Sequence, residues 1–158
     1  MNEPKLLRVR LLTWAMHLVF RFSRGMTLGV RAVVLDAEGR VFLVRHSYVP
    51  GWHFPGGGVE IGESLTDALA KELREEGNIE LTGPAKLHNV YYNRQTSKRD
   101  HVALYVVHHF RQTAPRRADA EIVEAGFFAR NALPQGTTKA TLRRLAEVLD
   151  GAKAERLW

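Results

Sequence analysis

The sequence has 158 residues and contains no cysteine. This absence excludes a disulfide framework, a thiol nucleophile and a zinc site built on thiolates. It permits a cytoplasmic location, which is the location we expect. Long apolar runs are also missing, because the uncharged stretch at residues 11–20 has ten residues, about half of what a bilayer span requires. No small-residue cleavage site follows this stretch, which argues against a secretory signal.

The composition indicates one compact domain. Apolar residues make up 45% of the chain, enough for one sizeable core, and the chain is too short for two ordinary domains. The net charge is +6, but residues 1–25 hold five basic residues and one acidic residue, so most of the excess lies at that end. We therefore divide the chain into an N-terminal segment, residues 1–25, and a domain, residues 26–158.

The N-terminal segment is predicted to form a helix with a narrow polar stripe. The stripe consists of residues spaced three and four apart: Arg10, Thr13, His17, Arg21 and Arg24. Apolar side chains occupy the rest of the circumference, and such a helix must be covered. Three roles fit this basic amphipathic helix: packing on its own domain or on the partner in a homodimer, contact with a membrane surface, or targeting.

From Met26 onward the pattern changes to that of strands. Two β-rich runs, residues 27–35 and 41–45, flank a hairpin turn signal at residues 36–39. Further strands are predicted at residues 87–92, 102–110 and 125–128. A closing helix is predicted from residue 138 to residue 150. One helix in the middle and one at the end indicate a mixed sheet between helices, an α/β fold of the α+β type.

Three consecutive glycines, Gly56, Gly57 and Gly58, precede a helix that has clear start signals. Consecutive glycines permit positive φ angles and a close approach of the backbone to a ligand. Ser64 and Asp67 form a capping box that starts the helix. Leucines at every fourth position give the helix a buried stripe, so that its other faces look outward. These leucines are Leu65, Leu69 and Leu73.

Glu72, Glu75 and Glu76 lie on one side of this helix. Positions i, i+3 and i+4 fall within an arc of about 100°, so the three carboxylates converge and repel one another when unpaired. Hard cations such as Mg²⁺ take oxygen ligands and bridge protein carboxylates to substrate phosphates. A solvated acidic face with a Lys71–Glu75 pair is the alternative interpretation. The preceding glycine loop favours a metal site that holds a pyrophosphate.

The segment from Gly57 to Ile79 resembles the Nudix box. That pattern reads Gly, five residues, Glu, seven residues, then Arg-Glu-apolar-any-Glu-Glu-any-Gly-apolar. The matching residues here are Gly57, Glu63, Glu72, Leu73, Glu75, Glu76 and Ile79. Lys71 stands where the family has Arg, and it lacks the bidentate fork that orients a carboxylate. Asn78 stands where the family has Gly, and it can still end the helix in the left-handed conformation.

The resemblance implies a three-layer α-β-α sandwich with a mixed sheet over residues 26–150. It also implies a hydrolase that uses Mg²⁺ or Mn²⁺ to direct a water molecule onto phosphorus. The residues that would hold the metal are the three helix glutamates and the carbonyl of Gly56. A further acid from a distal loop would serve as a ligand or a general base, and Glu121 is our candidate, with Glu124 as the fallback.

Candidates for substrate binding lie mostly outside the box. Gly57 and Gly58 would approach the substrate, and Arg45 would contact the nucleotide unless it is a surface ion-pair partner. Aromatic residues would either stack on a base or fill the core; these are Trp52, Phe54 and Tyr91. The basic loop at residues 94–99 fits phosphate contact or a solvated hairpin tip. The histidines, His46 among them, show no metal-ligand spacing.

Three functions follow, in order of preference. The first is a metal-dependent hydrolase that cleaves a pyrophosphate bond in a nucleoside diphosphate joined to another group, as in a nucleotide sugar, a dinucleotide or a nucleoside triphosphate. The second is a nucleotide-binding sensor of the same fold without turnover, suggested by the two departures from the box. The third is hydrolysis at the 5′ end of RNA. Nucleic acid is not the expected partner, because the basic excess lies in residues 1–25.

Overall fold

The computed structural model describes the backbone of residues 3–158 and the side chains of residues 10–20 and 23–158. The elements of this part of the chain are α1 Glu3–Ser23, β1 Thr27–Val34, β2 Val41–His46, α2 Leu65–Gly77, β3 Ile79–Leu81, β4 Lys86–Tyr92, β5 Asp100–Val107, β6 Phe110–Gln112, β7 Ile122–Phe128 and α3 Lys139–Leu149.

A mixed sheet forms the centre of the fold. β1 runs parallel to β5, with Thr27 opposite Asp100 and Val34 opposite Val107. β4 pairs with β5 in the antiparallel direction. Two shorter antiparallel pairs, β2 with β7 and β3 with β6, complete the strands. The prediction of a mixed sheet is therefore confirmed.

The two faces of β1 bury their side chains in different clusters. Val30, Ala32 and Val34 pack in one cluster with the leucines of α2. Val33 packs in a second cluster with Leu145 of α3. Because side chains alternate between the faces of a strand, the strands separate α2 from α3. This is the three-layer α-β-α arrangement that the resemblance implies.

Helix α2 begins and ends where its capping residues predict. Ser64 is the N-cap, and both hydrogen bonds of its capping box with Asp67 are present. Asn78 ends the helix with φ 53° and ψ 35°, and its N–H donates to the carbonyl of Arg74 at 3.1 Å. Leu69 and Leu73 are fully buried. The asparagine thus supplies the left-handed residue that the box normally obtains from glycine.

Two strand predictions need correction. The predicted strand at residues 102–110 is broken after Val107, because β5 pairs with β1 and β4 whereas β6 pairs with β3. The chain therefore changes partners at His108 and His109. Strand β3 was absent from the prediction, since three residues directly after a helix are too short for an alternating pattern to register.

Helix α1 confirms the helix predicted at the N-terminus. Its side chains from Arg10 to Val19 are exposed, including Trp14 at 64% and Leu12 at 66%, so packing on the chain's own domain is not observed there. The side chains of Arg21 and Phe22 lie outside the described set. Within residues 3–158, no helix combines the length and the apolarity that crossing a membrane requires.

Candidate active site

The glycine loop lies directly against β1. Val30 donates its N–H to the carbonyl of Gly57 at 2.9 Å, and Ala32 donates to the carbonyl of Pro55 at 3.0 Å. Gly56 has φ 140°, and a Cβ atom there would lie 2.0 Å from the carbonyl oxygen of Val30. Only glycine fits this position, because both the backbone angle and the contact exclude a side chain.

Gly57 brings the loop against the acidic face of α2. A Cβ atom at this position would lie 2.4 Å from Glu72 Oε1. A side chain at Gly57 would therefore displace the carboxylate of Glu72 from its present position. Gly57 and Glu72, which both belong to the box, are therefore close in space as well as at a fixed spacing in the sequence.

Glu76 is the most deeply buried of the helix glutamates, with 5% of its surface exposed. Its Oε2 accepts a hydrogen bond of 2.7 Å from the N–H of Gly56. Burial raises the pKa of Glu76 to about 7, and the Gly56 hydrogen bond and the charge of Arg31 only partly oppose this shift. The negative charge of this buried carboxylate is only partly offset by its neighbours, so a bound cation would stabilise it.

A cavity of about 500 Å³ lies between the glycine loop, α2 and the start of β7. Six residues predicted for the site line it: Gly56, Gly57, Gly58, Glu72, Glu76 and Glu121. Glu75 lies in an adjoining cavity of about 310 Å³ that Glu72, Glu76 and Glu121 also line. Burial, followed by the charge of Glu75, raises the pKa of Glu72 above its usual value. All four predicted carboxylates are thus gathered in one place.

These residues fit a hard divalent cation. The predicted donors are carboxylate oxygens and the carbonyl of Gly56, and oxygen donors are what Mg²⁺ and Mn²⁺ prefer. Among the described residues that line the larger cavity, Arg31 is the one cationic side chain, so it offsets only part of the negative charge. Arg31 Nη1 donates to the carbonyls of Gly56 and, at 3.2 Å, Phe54. A carbonyl oxygen has two lone pairs, so this contact does not exhaust Gly56.

Arg45 lies outside the cavity. Its Nη2 contacts Glu124 Oε2 at 3.0 Å, and the two side chains are 43% and 55% exposed. This is the surface ion pair that we gave as the alternative for Arg45. The contact also places Glu124, the fallback for Glu121, on the surface beside β2.

The three aromatic candidates for base stacking belong to the core. Trp52 is 5% exposed, Phe54 1% and Tyr91 0%, and all three pack in the cluster with Leu145 of α3. Their burial leaves no ring face for a substrate, so the stacking interpretation is corrected in favour of core packing. Sequence spacing alone could not separate the two, because both use the same residue types.

Several residues that line the site carried no sequence signal. His46 Nε2 lies 3.4 Å from Glu76 Oε1, and ligand atoms of His46, Glu76 and Glu121 lie within 4.8 Å of one another. Sequence spacing could not reveal this cluster, since its three members come from distant parts of the chain. Tyr48 donates its hydroxyl to Glu121 Oε1 at 3.4 Å. Further lining residues are Arg31, Asn93, Thr96, Asp100 and Trp158.

Lys71 contacts the first glutamate of the box rather than Glu72. Its Nζ donates to Glu63 Oε1 at 2.9 Å and lies 3.5 Å from Glu60 Oε1. The lysine thus ties the glycine-rich loop to α2, a link that a single point charge can make without a bidentate fork.

The comparisons with known proteins agree with this geometry. Residues 25–149 match the sequence profile of the NUDIX domain. A MutT NUDIX hydrolase from Burkholderia pseudomallei is similar in structure, with a TM-score of 0.67, 28% identity and coverage of 78% of this chain and 98% of that one. The chain therefore belongs to the Nudix hydrolase family.

Curated relatives match over a shorter segment. An RNA pyrophosphohydrolase of Halorhodospira halophila is 41% identical over 63 residues, which are 40% of this chain and 33% of that protein. A putative 8-oxo-dGTP diphosphatase of Bacillus subtilis is 33% identical over 76 residues, 48% of this chain and 50% of that protein. These matches span a third to a half of the relatives' lengths, so they do not transfer a substrate.

In the metal-free protein, we expect the contribution of Glu76 to stability to fall as the pH rises from about 4.5 to about 7. Glu76 releases its proton near 4.5 when unfolded and near 7 when folded, so the folded state retains the proton across this window. The unfolding free energy should fall by up to about 3 kcal/mol from this group. Urea denaturation in EDTA at pH 5 and pH 7 measures the change. Glu76→Gln should remove the contribution of Glu76 to the pH dependence of the unfolding free energy. If the pH dependence is the same in that variant, Glu76 is not the group that causes it.

Proposed function

We propose that the protein is a Nudix pyrophosphohydrolase that uses Mg²⁺ or Mn²⁺ to cleave a nucleoside diphosphate joined to another group. The observation that carries the proposal is the gathering of Glu72, Glu75, Glu76 and Glu121 beside a glycine loop that admits a ligand. Arg31 and Arg116 are the cationic side chains among the described residues that line the two cavities, and Arg116 is paired with Asp119. Four carboxylates with so little positive charge beside them are unfavourable unless a cation joins them. A diphosphate then supplies the remaining oxygen ligands.

The metal would be held by the three helix glutamates and the carbonyl of Gly56. A divalent cation at this position neutralises phosphate oxygens and lowers the pKa of a water molecule. The hydrogen bond from Gly56 N–H fixes one oxygen of Glu76 and leaves Oε1 directed toward His46 and Glu121. The loop backbone therefore positions Glu76 before any substrate arrives.

Glu121 is the carboxylate that we assign to accept the proton of the attacking water. It is exposed to the cavity and comes from the loop before β7, whereas Glu76 is buried and held by the glycine loop. Tyr48 donates to Glu121 Oε1 and so leaves Oε2 for the water. A general base must lie within hydrogen-bond reach of the proton it takes, and the open wall of the cavity permits this.

Arg31 and the glycine backbone would bind the phosphates. Arg31 shares a wall of the cavity with Gly57 and Gly58. A guanidinium beside flexible backbone is suited to phosphate oxygens, because its planar donors match their geometry. Its present partners are backbone carbonyls, so a phosphate would compete for donors that are already oriented into the site.

Hydrolysis at the 5′ end of RNA is the second candidate. One observation favours it, namely the local identity of 41% to an RNA pyrophosphohydrolase across 63 residues. The basic excess of the chain lies in residues 1–25, and small nucleotides therefore remain our first choice.

A substrate panel tests the proposal. Purified protein with Mg²⁺ or Mn²⁺ is incubated with nucleotide sugars, dinucleoside polyphosphates, nucleoside triphosphates and 5′-triphosphorylated RNA, and the products are identified in ¹⁸O-labelled water. We expect cleavage of a small nucleotide, with the label showing which phosphorus is attacked. Preferred cleavage of RNA would select the second candidate.

The panel also distinguishes an enzyme from a sensor. Cleavage of no compound, together with tight nucleotide binding that is unchanged in Glu76→Gln, would replace the proposal with a binding module. Loss of metal-dependent turnover in Glu76→Gln with retained folding would support catalysis at this site.

A further inference from the structure

A second cavity, of about 470 Å³, adjoins the cavity that holds the carboxylates. The two have five lining residues in common: Arg31, Tyr48, Asn93, Thr96 and Trp158. Since the same residues form walls of both, the two cavities are adjacent parts of one cleft. Each is within the size range of small-molecule sites. A ligand with phosphates at the glutamates can therefore extend into the second cavity.

The second cavity differs from the first in chemistry. No carboxylate is among its described lining residues. Its polar groups are the guanidinium of Arg31, shared with the first cavity, and a set of amides, hydroxyls and imidazoles contributed by Asn93, Gln95, Thr96, Thr138, His46 and His53. Tyr48 and Trp158 add two aromatic side chains. Such a wall suits a flat, uncharged group that stacks on a ring and forms hydrogen bonds at its edge.

Trp158 is placed in this cleft by a buried ion pair. Arg144 is fully buried, and its Nη2 donates to Glu147 Oε1 at 2.7 Å. Its Nη1 donates to the carbonyl of Leu157 at 2.8 Å. Glu147 Oε1 also accepts from the N–H of Glu155 at 2.9 Å. Burial of an ion pair carries a large desolvation cost, and here the pair holds residues 155–158 in place.

Further contacts fix Trp158 itself. Its N–H donates to the carbonyl of Tyr92 at 3.2 Å, and Arg143 Nη2 donates to its carbonyl at 2.8 Å. The indole packs edge-on against the buried ring of Tyr91, with 5.5 Å between ring centroids. Trp158 packs partly against the core cluster around Leu145 but is of intermediate burial as a whole residue, and it lines both cavities. Its position is thus set by the protein before a ligand binds.

We infer that the second cavity binds the nucleobase of the substrate and that Trp158 is its stacking surface. This inference rests on the proposed function, which places the diphosphate at the glutamates. A nucleobase has a π-face for the indole and donor and acceptor edges for the amide of Gln95. Asn93 can offer only its side-chain oxygen, because its Nδ2 already donates to Thr96 and Asp100. Asparagine and glutamine pair with base edges in protein–nucleic acid complexes for the same reason. Trp158 is therefore a specificity residue, separate from the carboxylates that carry the reaction.

Equilibrium binding measures this role without turnover. Inorganic pyrophosphate, ADP, GDP and UDP are titrated by calorimetry in Ca²⁺, which takes oxygen ligands like those of Mg²⁺. We expect at least one nucleoside diphosphate to bind more tightly than pyrophosphate. Trp158→Ala should lower the affinity for that nucleotide by about 10- to 100-fold, which is the usual contribution of base stacking on an aromatic ring. Pyrophosphate affinity should not change, and Trp158→Phe should retain most of the nucleotide affinity.

Trp14→Ala serves as the matched control, because Trp14 is 64% exposed on α1 and lines neither cavity. It should leave both affinities unchanged. The inference is overturned if no nucleoside diphosphate binds more tightly than pyrophosphate to the unmodified protein. It is also overturned if Trp158→Ala lowers the affinities for the nucleotide and for pyrophosphate by the same factor. Failure of pyrophosphate to bind in the presence of the cation would instead count against the proposed function.

A second measurement does not depend on the folding of Trp158→Ala. The protein labelled with 5-fluorotryptophan gives a ¹⁹F resonance for each of its three tryptophans, and Trp158→Phe assigns the one of interest. That resonance should shift on addition of the nucleoside diphosphate and stay in place with pyrophosphate. An unmoved resonance at saturating nucleotide would overturn the inference.

Discussion

Glu76→Gln is expected to lower kcat/KM by about 10²- to 10³-fold, the loss that follows removal of one preorganised electrostatic group. Glutamine keeps the size of the side chain and can still accept the hydrogen bond from Gly56. It removes the negative charge that the metal requires, so the effect should fall on metal affinity and turnover rather than on folding. Steady-state kinetics at saturating Mg²⁺ and Mn²⁺ titration of the free protein would measure the two losses.

Glu80→Gln is a suitable control for this variant. Glu80 lies on β3, four residues beyond Glu76, and pairs with Arg111 at the surface. Exposed pairs of this kind contribute between 0 and about 1 kcal/mol, so activity and stability should change little. Normal turnover in Glu76→Gln would contradict a metal role for Glu76. Loss of turnover because the variant does not fold would contradict a role that is specific to the metal.

Gly56→Ala is expected to reduce the unfolding free energy by at least about 3 kcal/mol, the upper part of the range for one strained residue. The added Cβ would lie 2.0 Å from the Val30 carbonyl, and φ of 140° is unfavourable for alanine. Because the clash is with the backbone of β1, a rotamer change cannot relieve it. The loop must move away from the strand, which also withdraws the N–H that holds Glu76. Urea denaturation of the metal-free protein measures the loss.

Gly58→Ala provides the comparison from the same loop. No atom lies within 4 Å of a Cβ at this position, and its φ is outside the left-handed region. Alanine there should change the unfolding free energy by less than about 1 kcal/mol, since only the freedom of the unfolded chain is altered. Equal destabilisation by the two variants would show that the contact with Val30 is not what requires Gly56.

The placement of the three helix glutamates was predictable because its geometry is local. Glu72, Glu75 and Glu76 share one helix face by virtue of their spacing, and Ser64 and Asn78 mark the ends of that helix. Hydrogen bonding inside a single helix decides these placements, so no distant contact can alter them. The fold also follows, since one helix between strands and one after them leave few packing arrangements.

The substrate part was not predictable for the opposite reason. Arg31, Tyr48, Asn93 and Trp158 meet only through the pairing of distant strands, and no pattern in the chain relates them. Trp52, Phe54 and Tyr91 are the same kinds of residue as those that line the cleft, yet they lie in the core. Their burial depends on the neighbouring layers, which single positions in a sequence do not encode.

The parallel pairing of β1 with β5 sets an order for the maturation of the protein. Thr27 meets Asp100 across 73 residues of chain, with β2, α2 and β4 formed in between. During synthesis, the edge of β1 that pairs with β5 stays unpaired until β5 has emerged from the ribosome. Contacts between residues so far apart in the sequence slow folding. Glu121 is translated later still. A ribosome-bound chain that stops before Glu121 would hold the helix glutamates without the proposed general base, and the set of four carboxylates would be complete only after that residue has emerged.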